Sequence, residues 1–229
     1  MIRAEFHCHT IYSKDSLLKI NSLIKSIKRK KLDRVAITDH NTIGGALRAK
    51  ELAPEHVIVG EEIMTTKGEL LAYFMTEEIK PYLSPQETIN QLREQEAFIS
   101  VAHPFDRVRK GHWDSGDLLD ILPLVDAIEV FNARCIFPQF NTRANEFALQ
   151  NNILSMVGSD AHTSMEIGRA TTLLPDFSDT TSLKIALINA QFDYQISPVW
   201  IHFTSRIAKW YKTLFTNSEI KQPEKNHLP

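Results

Sequence analysis

The chain has 229 residues, of which 43% are hydrophobic and 24% are charged, and its formal net charge at pH 7 is −2. This length suits one large α/β domain, and the nearly balanced charge excludes a whole-molecule field that would draw the protein onto nucleic acid or a membrane. Cys8 and Cys135 provide no disulfide framework, and no leader pattern or apolar stretch of roughly 20 residues is present, so we expect a soluble cytoplasmic protein.

Short apolar runs rich in β-branched residues alternate with helix-like segments along the chain. In order, the predicted strands are AEF, RVAIT, VIVGEEIM, ELLAYF, FISVA, DAIEVF and ILSMVG. The predicted helices span 22–31, 42–53, 84–95, 117–122, 138–150 and 182–190, with Thr42 and the Ser84-Pro85 pair at the start of the second and third. This alternation predicts a parallel sheet, closed or nearly closed, with the helices outside it.

Five of the strand-like runs end in residues that can bind metal ions. In a barrel of parallel strands, the C-terminal strand ends face one active-site mouth, so these side chains would converge in space. Imidazole and carboxylate ligands together suit Zn²⁺, Mn²⁺ or Fe²⁺. The pattern therefore predicts a metal-dependent hydrolase. The five strand ends are His7-Cys8-His9, Asp39-His40, Glu61-Glu62, His103-Pro104 and Ser159-Asp160-Ala161-His162.

Side-chain alternation along a strand narrows the choice of ligands. Successive residues point to opposite faces, so His7 and His9 share one face while Cys8 lies on the other. None of these metals needs a thiolate, so Cys8 is predicted to be a small barrel-wall residue and not a ligand. The same alternation means that only one of Glu61 and Glu62 should reach the pocket.

As a set, five segments resemble the motifs of the PHP (polymerase and histidinol phosphatase) family, in particular its short stand-alone metal-dependent phosphoesterases. They are FHCHTIYSKDS, ITDHNT, GEEI, AHPF and GSDAH, and the resemblance covers about residues 5 to 175. It implies an α/β fold, a distorted (β/α)7 barrel with a two- or three-metal cluster at the C-terminal ends of the strands. The family's Gly-x-Glu pattern selects Glu62 over Glu61. The implied metal ligands are His7, His9, Asp15, His40, Glu62, His103, Asp160 and His162.

The chain departs from the family pattern at two places. Ser16 stands where many members have glycine, which is a minor change in a loop. Longer members also have a histidine between the glutamate and His-Pro motifs, whereas residues 63–102 contain none. We therefore expect two divalent ions, Mn²⁺, Zn²⁺ or Fe²⁺, and leave a third site open.

The segment from Glu129 to Arg134, at the end of the DAIEVF strand, resembles the EVFNAR-type stretch of short PHP phosphoesterases. A guanidinium can hold phosphate through two parallel hydrogen bonds, so Arg134 is the first candidate for binding a substrate phosphate. A structural ion pair is the alternative. Asn132 would share its face if the strand continues, and Arg107 and Arg169 are weaker phosphate-binding candidates.

The predicted activity is hydrolysis of a phosphate ester by a metal-activated water. Two ions would lower the pKa of the water and stabilise the entering and leaving oxygens, with Glu62 and Asp160 as the favoured bridging carboxylates. The substrate could be a small phosphorylated metabolite, a nucleotide or the end of a short oligonucleotide. No catalytic residue is assigned beyond the metal ligands. The alternatives are a binuclear amidohydrolase and a metal-binding module without catalysis.

The C-terminal part of the chain differs from the rest. We predict a barrel over residues 1–198, an amphipathic helix over 199–216 and a disordered tail over 217–229. An apolar stripe recurs along the helix at helical spacing, and it predicts either packing on the barrel or contact with a partner or a membrane surface. The stripe consists of Trp200, Phe203, Ile207, Trp210, Tyr211 and Leu214.

Overall fold

The computed structural model describes residues 1–215, in which strands and helices alternate. The predicted disordered tail, 217–229, lies outside the described residues. The strands are β1 (Ile2–Cys8), β2 (Arg34–Ile37), β3 (Val57–Met64), β4 (Glu69–Tyr73), β5 (Phe98–Val101), β6 (Ala127–Asn132), β7 (Leu154–Gly158), β8 (Ala170–Leu174) and β9 (Gln191–Tyr194). The helices are α1 (Ile20–Lys30), α2 (Gly44–Leu52), α3 (Pro85–Glu94), α4 (Ser115–Ile121), α5 (Pro138–Gln150), α6 (Thr180–Leu187) and α7 (Ile201–Phe215).

The strands form one sheet in the order β7-β6-β5-β4-β3-β2-β1-β8-β9. Most neighbours in the β1–β7 part run parallel, but β4 is antiparallel to both β3 and β5. Only residues 65–68 join β3 to β4, and a parallel pair needs a crossover of a dozen residues or more. The expectation of a parallel sheet is therefore wrong at β4. Strands β8 and β9, which the sequence did not predict, are antiparallel additions beside β1.

The barrel closes where the end of β1 meets the segment that follows β7. His9 N donates a hydrogen bond to Ala161 O at 2.8 Å, and Ala161 N donates to His7 O at 3.3 Å. The space beside Gly158 is so restricted that a Cβ there would overlap the side chain of His7 and the Glu129 carboxylate. This contact brings the first and last ligand-bearing strands together, as a nearly closed, distorted barrel requires.

Helix positions agree with the sequence patterns except near some helix starts. Helix α3 begins as predicted, because Ser84 accepts a hydrogen bond from Glu87 N in a capping box and Pro85 occupies the first turn. Helix α2 instead begins after Ile43. The predicted cap, Thr42, donates its hydroxyl hydrogen bond to Glu78 Oε1 at 2.6 Å. Among residues 1–215, no helix is both long and apolar enough to span a membrane.

Candidate metal centre

Glu62 lies at the centre of a group of imidazoles at the mouth of the barrel. Its Oε1 is 2.8 Å from His103 Nε2 and 3.4 Å from His7 Nε2. Its Oε2 is 2.9 Å from His40 Nδ1 and 3.3 Å from His9 Nε2. The four histidines stand at the ends of β1, β2 and β5, so the closure of the fold brings them around one carboxylate.

Two aspartates extend this cluster. Asp160 Oδ1 is 3.1 Å from His9 Nε2. The carboxylate of Asp15 is 3.4 Å from His162 Nε2 and 3.6 Å from His40 Nε2. The structure thus brings together all the residues that the family resemblance implied as ligands, namely His7, His9, Asp15, His40, Glu62, His103, Asp160 and His162.

Glu61, the neighbour of Glu62 on β3, points away from the cluster. Its Oε2 accepts a hydrogen bond from Ile79 N at 3.1 Å. Burial raises the pKa of Glu61 to about 8. Strand alternation therefore brings Glu62 to the mouth and buries Glu61 on the other face.

Two residues of the cluster have left-handed backbone conformations. The φ angle is 25° at His103 and 52° at Asp160. Such conformations cost about 1–3 kcal/mol in non-glycine residues and persist where the surrounding contacts hold them in place. His103 N donates to Glu129 Oε2 at 2.9 Å, and Asp160 Oδ2 is 2.6 Å from Arg109 Nη1. Strain of this kind concentrates at functional sites, in agreement with the position of the cluster.

Buried carboxylates behind the cluster orient its imidazoles. Glu129 Oε1 is 2.9 Å from His7 Nδ1, which directs the other ring nitrogen of His7 toward Glu62. Ser13 Oγ is 3.2 Å from His9 Nδ1 and donates to Asp39 Oδ1 at 2.6 Å. Outer contacts of this type fix the ring orientation of metal-binding histidines. This role of Glu129 was not predicted from the sequence, although Glu129 is the third residue of β6 and lies three residues before Asn132.

The donor atoms of the cluster fit divalent cations. Glu62 Oε2, Asp160 Oδ1 and Asp15 Oδ1 are buried and have no well-oriented hydrogen bond to any described residue. Their lone pairs are thus available to a cation. The Cys8 thiol instead donates to Ala36 O at 3.4 Å, away from the cluster. Imidazole nitrogens and carboxylate oxygens without a thiolate suit Mn²⁺, Zn²⁺ or Fe²⁺.

Electrostatics keep the two central carboxylates ionised. Burial opposes ionisation of Glu62, but the charges of His7 and His40 hold its pKa well below the usual value. Burial likewise opposes ionisation of Asp160, and the charges of Arg109 and His7 outweigh it, so the pKa of Asp160 is also well below the usual value. Metal binding needs ionised carboxylates and neutral imidazoles, so a bound cation would take the place of the protons on His7 and His40.

Arg134 lies beside the cluster, where it forms an ion pair and also lines a cavity. Its Nε is 3.2 Å from Glu166 Oε1, and its Nη2 donates to Ser205 Oγ at 2.8 Å. It also lines a cavity of about 240 Å³ that reaches Asp15 and His162. Arg134 therefore combines the structural ion pair with access to the space in front of the predicted metal ligands.

The other residues predicted to bind phosphate, Arg107, Arg169 and Asn132, do not line this cavity. Arg107 is exposed, and neither Arg107 nor Arg169 is among the described residues that line this cavity. Arg169 Nη1 donates to Ile196 O at 3.1 Å. Asn132 is buried, and its Nδ2 donates to Asp160 Oδ2 at 3.2 Å. Asn132 thus supports a predicted metal ligand.

Arg109 is the cationic residue that the sequence analysis missed. Its Nη1 is 2.6 Å from Asp160 Oδ2, its Nε is 3.1 Å from Asp106 Oδ2, and it lines the same cavity. It lies only two residues beyond Arg107 in the loop after β5. Side chains in an irregular loop follow no period, so the sequence offered a cluster of basic residues there but no means of choosing among them.

Comparison with known proteins identifies the family. Residues 5–110 match the PHP domain, and residues 138–186 match the PHP-associated family. An uncharacterized protein of Methanocaldococcus jannaschii is 39% identical over 145 residues, which cover 58% of this chain and 82% of that protein. This chain belongs to the PHP domain family. A second uncharacterized protein of the same organism is 36% identical over 172 residues, which cover 74% of this chain and 69% of the other.

A solved structure shares the fold of this PHP domain. It is a two-domain protein of Bacteroides vulgatus ATCC 8482 described as containing a predicted PHP-like metal-dependent phosphoesterase. The TM-score is 0.66 at 19% identity, and the match covers 90% of this chain and 69% of the other. At this identity the likeness concerns the fold alone, and it confirms the predicted PHP-type barrel.

Glu69 is a further carboxylate at the mouth of the PHP domain that the sequence analysis missed. Its Oε1 is 3.7 Å from His40 Nδ1, and its Oε2 is 3.5 Å from His103 Nε2. With His40 and Glu62 it forms a group whose ligand atoms all lie within 4.8 Å of one another. Gly111 leaves the space that its carboxylate occupies. Residues 63–102 lack the additional histidine that longer PHP members have, but they contribute the Glu69 carboxylate to the mouth of the barrel.

Glu69→Gln is expected to weaken the binding of one divalent ion by about 10- to 100-fold, the range seen when supporting or peripheral metal contacts are lost. The amide keeps the shape of the side chain but removes the charged oxygen near His40 and His103. Isothermal titration of the metal-free protein with Mn²⁺ measures the effect, and Glu94→Gln on the exposed surface of α3 is the matched control. Superimposable titration curves for Glu69→Gln and the wild type would remove Glu69 from the ligand set.

Proposed function

We propose that this protein is a metal-dependent phosphoesterase that hydrolyses the phosphate ester of a small metabolite, a nucleotide or an oligonucleotide end. The observation that carries the proposal is a cluster of imidazoles and ionised carboxylates that opens into a cavity lined by Arg109 and Arg134. The Bacteroides vulgatus protein that shares this fold is described as containing a predicted PHP-like metal-dependent phosphoesterase, which agrees with this reaction class.

Two groups of side chains would hold the ions. One is His7, His9 and Glu62, and the other is His9, His40 and His162. Asp160 and Asp15 lie against these groups and would supply the remaining oxygen ligands. When bound, divalent ions of this kind supply Lewis-acid activation of water and neutralise charge on the phosphate.

The chain's own residues then have distinct roles. Glu129 and Ser13 hold the rings of His7 and His9 in orientation through their second nitrogens. Arg134, fixed on one side by Glu166, lines the cavity and would bind a non-bridging phosphate oxygen there. Because Arg134 is nearly buried, its interaction with an anion is stronger than it would be in water.

Arg134→Ala is expected to lower kcat/KM for the best phosphoester by about 10²-fold, which corresponds to about 3 kcal/mol of transition-state stabilisation. Metal content should remain intact, because Arg134 contacts none of the predicted ligands directly. Arg134→Lys should recover only part of the loss, since an ammonium lacks the two-pronged geometry. Steady-state kinetics with elemental analysis of the same samples measures both. Full activity in Arg134→Ala would argue against phosphate binding there, and an equal loss of metal would make Arg134 structural.

Assays of phosphoester and amide hydrolysis distinguish a phosphoesterase, an amidohydrolase and a non-catalytic metal-binding module. Mn²⁺-loaded protein should hydrolyse p-nitrophenyl phosphate, and a panel of nucleotides, cyclic phosphates, sugar phosphates and short oligonucleotides should then identify the preferred ester. Hydrolysis of amides without any phosphoester turnover would favour the amidohydrolase alternative. Stoichiometric metal binding without turnover on either panel would favour a non-catalytic module.

A further inference from the structure

Helix α7 crosses the mouth of the barrel, although it lies outside both segments that match the PHP families, 5–110 and 138–186. On one side, Arg134 Nη2 donates to Ser205 Oγ at 2.8 Å. On the other, Lys212 Nζ donates to Ile11 O at 2.7 Å and to Ser13 O at 2.6 Å. The helix therefore connects the loop after β6 to the loop after β1, over the predicted metal ligands.

The face that α7 turns toward the barrel combines two buried apolar residues with partly buried polar ones. Ile201 and Ala208 are each only 1% exposed, and Ser205 and Lys212 lie on the same side at helical spacing. Five residues of the apolar stripe are exposed instead, namely Trp200, Phe203, Ile207, Trp210 and Tyr211, with Trp210 64% exposed. A helix held on the barrel only by apolar packing would bury its apolar stripe, so the presence of Ser205 and Lys212 on the inner side requires another explanation.

That explanation is the cavity beneath the helix. Three residues of α7, namely His202, Ser205 and Arg206, line the 240 Å³ cavity that also contains His40 and His162. Ligand pockets usually measure about 300–1,000 Å³. At about 240 Å³ this open cavity is slightly smaller than that range, so it suits a small molecule or the terminal unit of a longer one.

Arg206 is exposed to solvent on one side and also lines this cavity. Arg109 and Arg134 already form ion pairs with carboxylates. Arg206 has no ion pair with any residue in the described range 1–215. Burial and the charges of Arg134 and Arg109 lower the pKa of His202, which shows that this ring shares their surroundings.

We propose that α7 completes the substrate site, with Arg206 and His202 binding the anionic substrate across the cavity from the metal ligands. This inference rests on the proposed function for the identity of the anion, a phosphate group. Arg206 supplies a guanidinium fork, and His202 supplies a ring nitrogen as a hydrogen-bond partner. The helix also limits the site to substrates that fit beneath it, which favours small phosphoesters and chain ends over the interior of a polymer.

The test measures binding of inorganic phosphate to the full-length, Mn²⁺-loaded protein by isothermal titration calorimetry. Arg206→Ala should weaken phosphate binding about tenfold, the effect of losing one charge-assisted hydrogen bond. Arg206→Lys should recover part of it. Lys209→Ala is the matched control, because Lys209 is an exposed cation on the same helix that is not among the described residues lining the cavity. With p-nitrophenyl phosphate, Arg206→Ala should raise KM about tenfold and change kcat little.

Each outcome decides the proposal. A weaker phosphate affinity in Arg206→Ala, with unchanged metal content and an unaffected Lys209→Ala, supports it even if the wild type hydrolyses no phosphoester, in which case only the proposed function fails. Equal affinity in Arg206→Ala and the wild type overturns it while leaving the hydrolytic function intact. Absence of phosphate binding to the wild type, or a parallel loss of metal in Arg206→Ala, also overturns it.

Discussion

Glu62→Gln is expected to lower kcat/KM by more than about 100-fold and to weaken metal binding, whereas Glu61→Gln should keep most activity. Loss of an outer contact to a metal site already costs about 10- to 100-fold, and Glu62 is central, within 3.4 Å of four imidazoles. The Glu62 carboxylate is kept ionised by the charges of His7 and His40, and the neutral amide of glutamine lacks its negative charge. Steady-state kinetics and metal titration of both variants measure the difference.

Glu61→Gln is a close control for Glu62→Gln. Both side chains are fully buried on β3, and the substitution is the same. Burial raises the pKa of Glu61 to about 8, so its carboxyl is largely protonated at neutral pH and a neutral amide resembles it. The reverse outcome, an inactive Glu61→Gln and an active Glu62→Gln, would mean that the strand register is shifted by one residue, which turns every side chain to the other face.

The second large effect concerns metal-dependent stability. Mn²⁺ at about 100 times its Kd should stabilise the wild-type fold by about 2.7 kcal/mol. For a domain of this size that corresponds to a rise in Tm of about 5–11 °C. The double variant His7→Ala/His9→Ala should lose at least one bound ion and most of this rise, because the two rings contact both Glu62 and Asp160. Elemental analysis and thermal unfolding with and without Mn²⁺ measure both.

The double variant also needs a stability control, since removal of two buried rings leaves cavities. The melting temperature of each protein without metal provides it, and the prediction concerns only the difference that Mn²⁺ makes. An unchanged number of bound ions together with a full Mn²⁺-dependent rise in the double variant would contradict the assignment of His7 and His9 as ligands.

Much of the candidate centre was predictable because it depends on local geometry. Alternation along β1 places His7 and His9 on one face and Cys8 on the other, whatever the rest of the fold does. The same period separates Glu61 from Glu62. The motifs that resemble the PHP family then pointed to residues from distant segments, and the structure brings those residues together.

The direction of β4 explains why Glu69 was missed. In a barrel of parallel strands, the C-terminal strand ends lie at the mouth, so only residues at those ends were predicted to bind metal. Because the short connection 65–68 makes β4 antiparallel, its first residue lies at the mouth instead. Strand direction depends on how the chain reverses after β3, and a single apolar run contains no signal for it.

The sequence by itself determined which strand-borne residues are predicted to bind metal, since side-chain period and family motifs are local properties. Only the tertiary structure decided which residues surround them. Arg109 reaches Asp160 through an irregular loop, and α7 places Ser205 and Lys212 inward because Arg134 and backbone carbonyls offer them hydrogen bonds there. The apolar stripe on that helix was visible in the sequence, but the side that a helix buries depends on the surface it meets, and that surface is assembled from residues far apart in the chain.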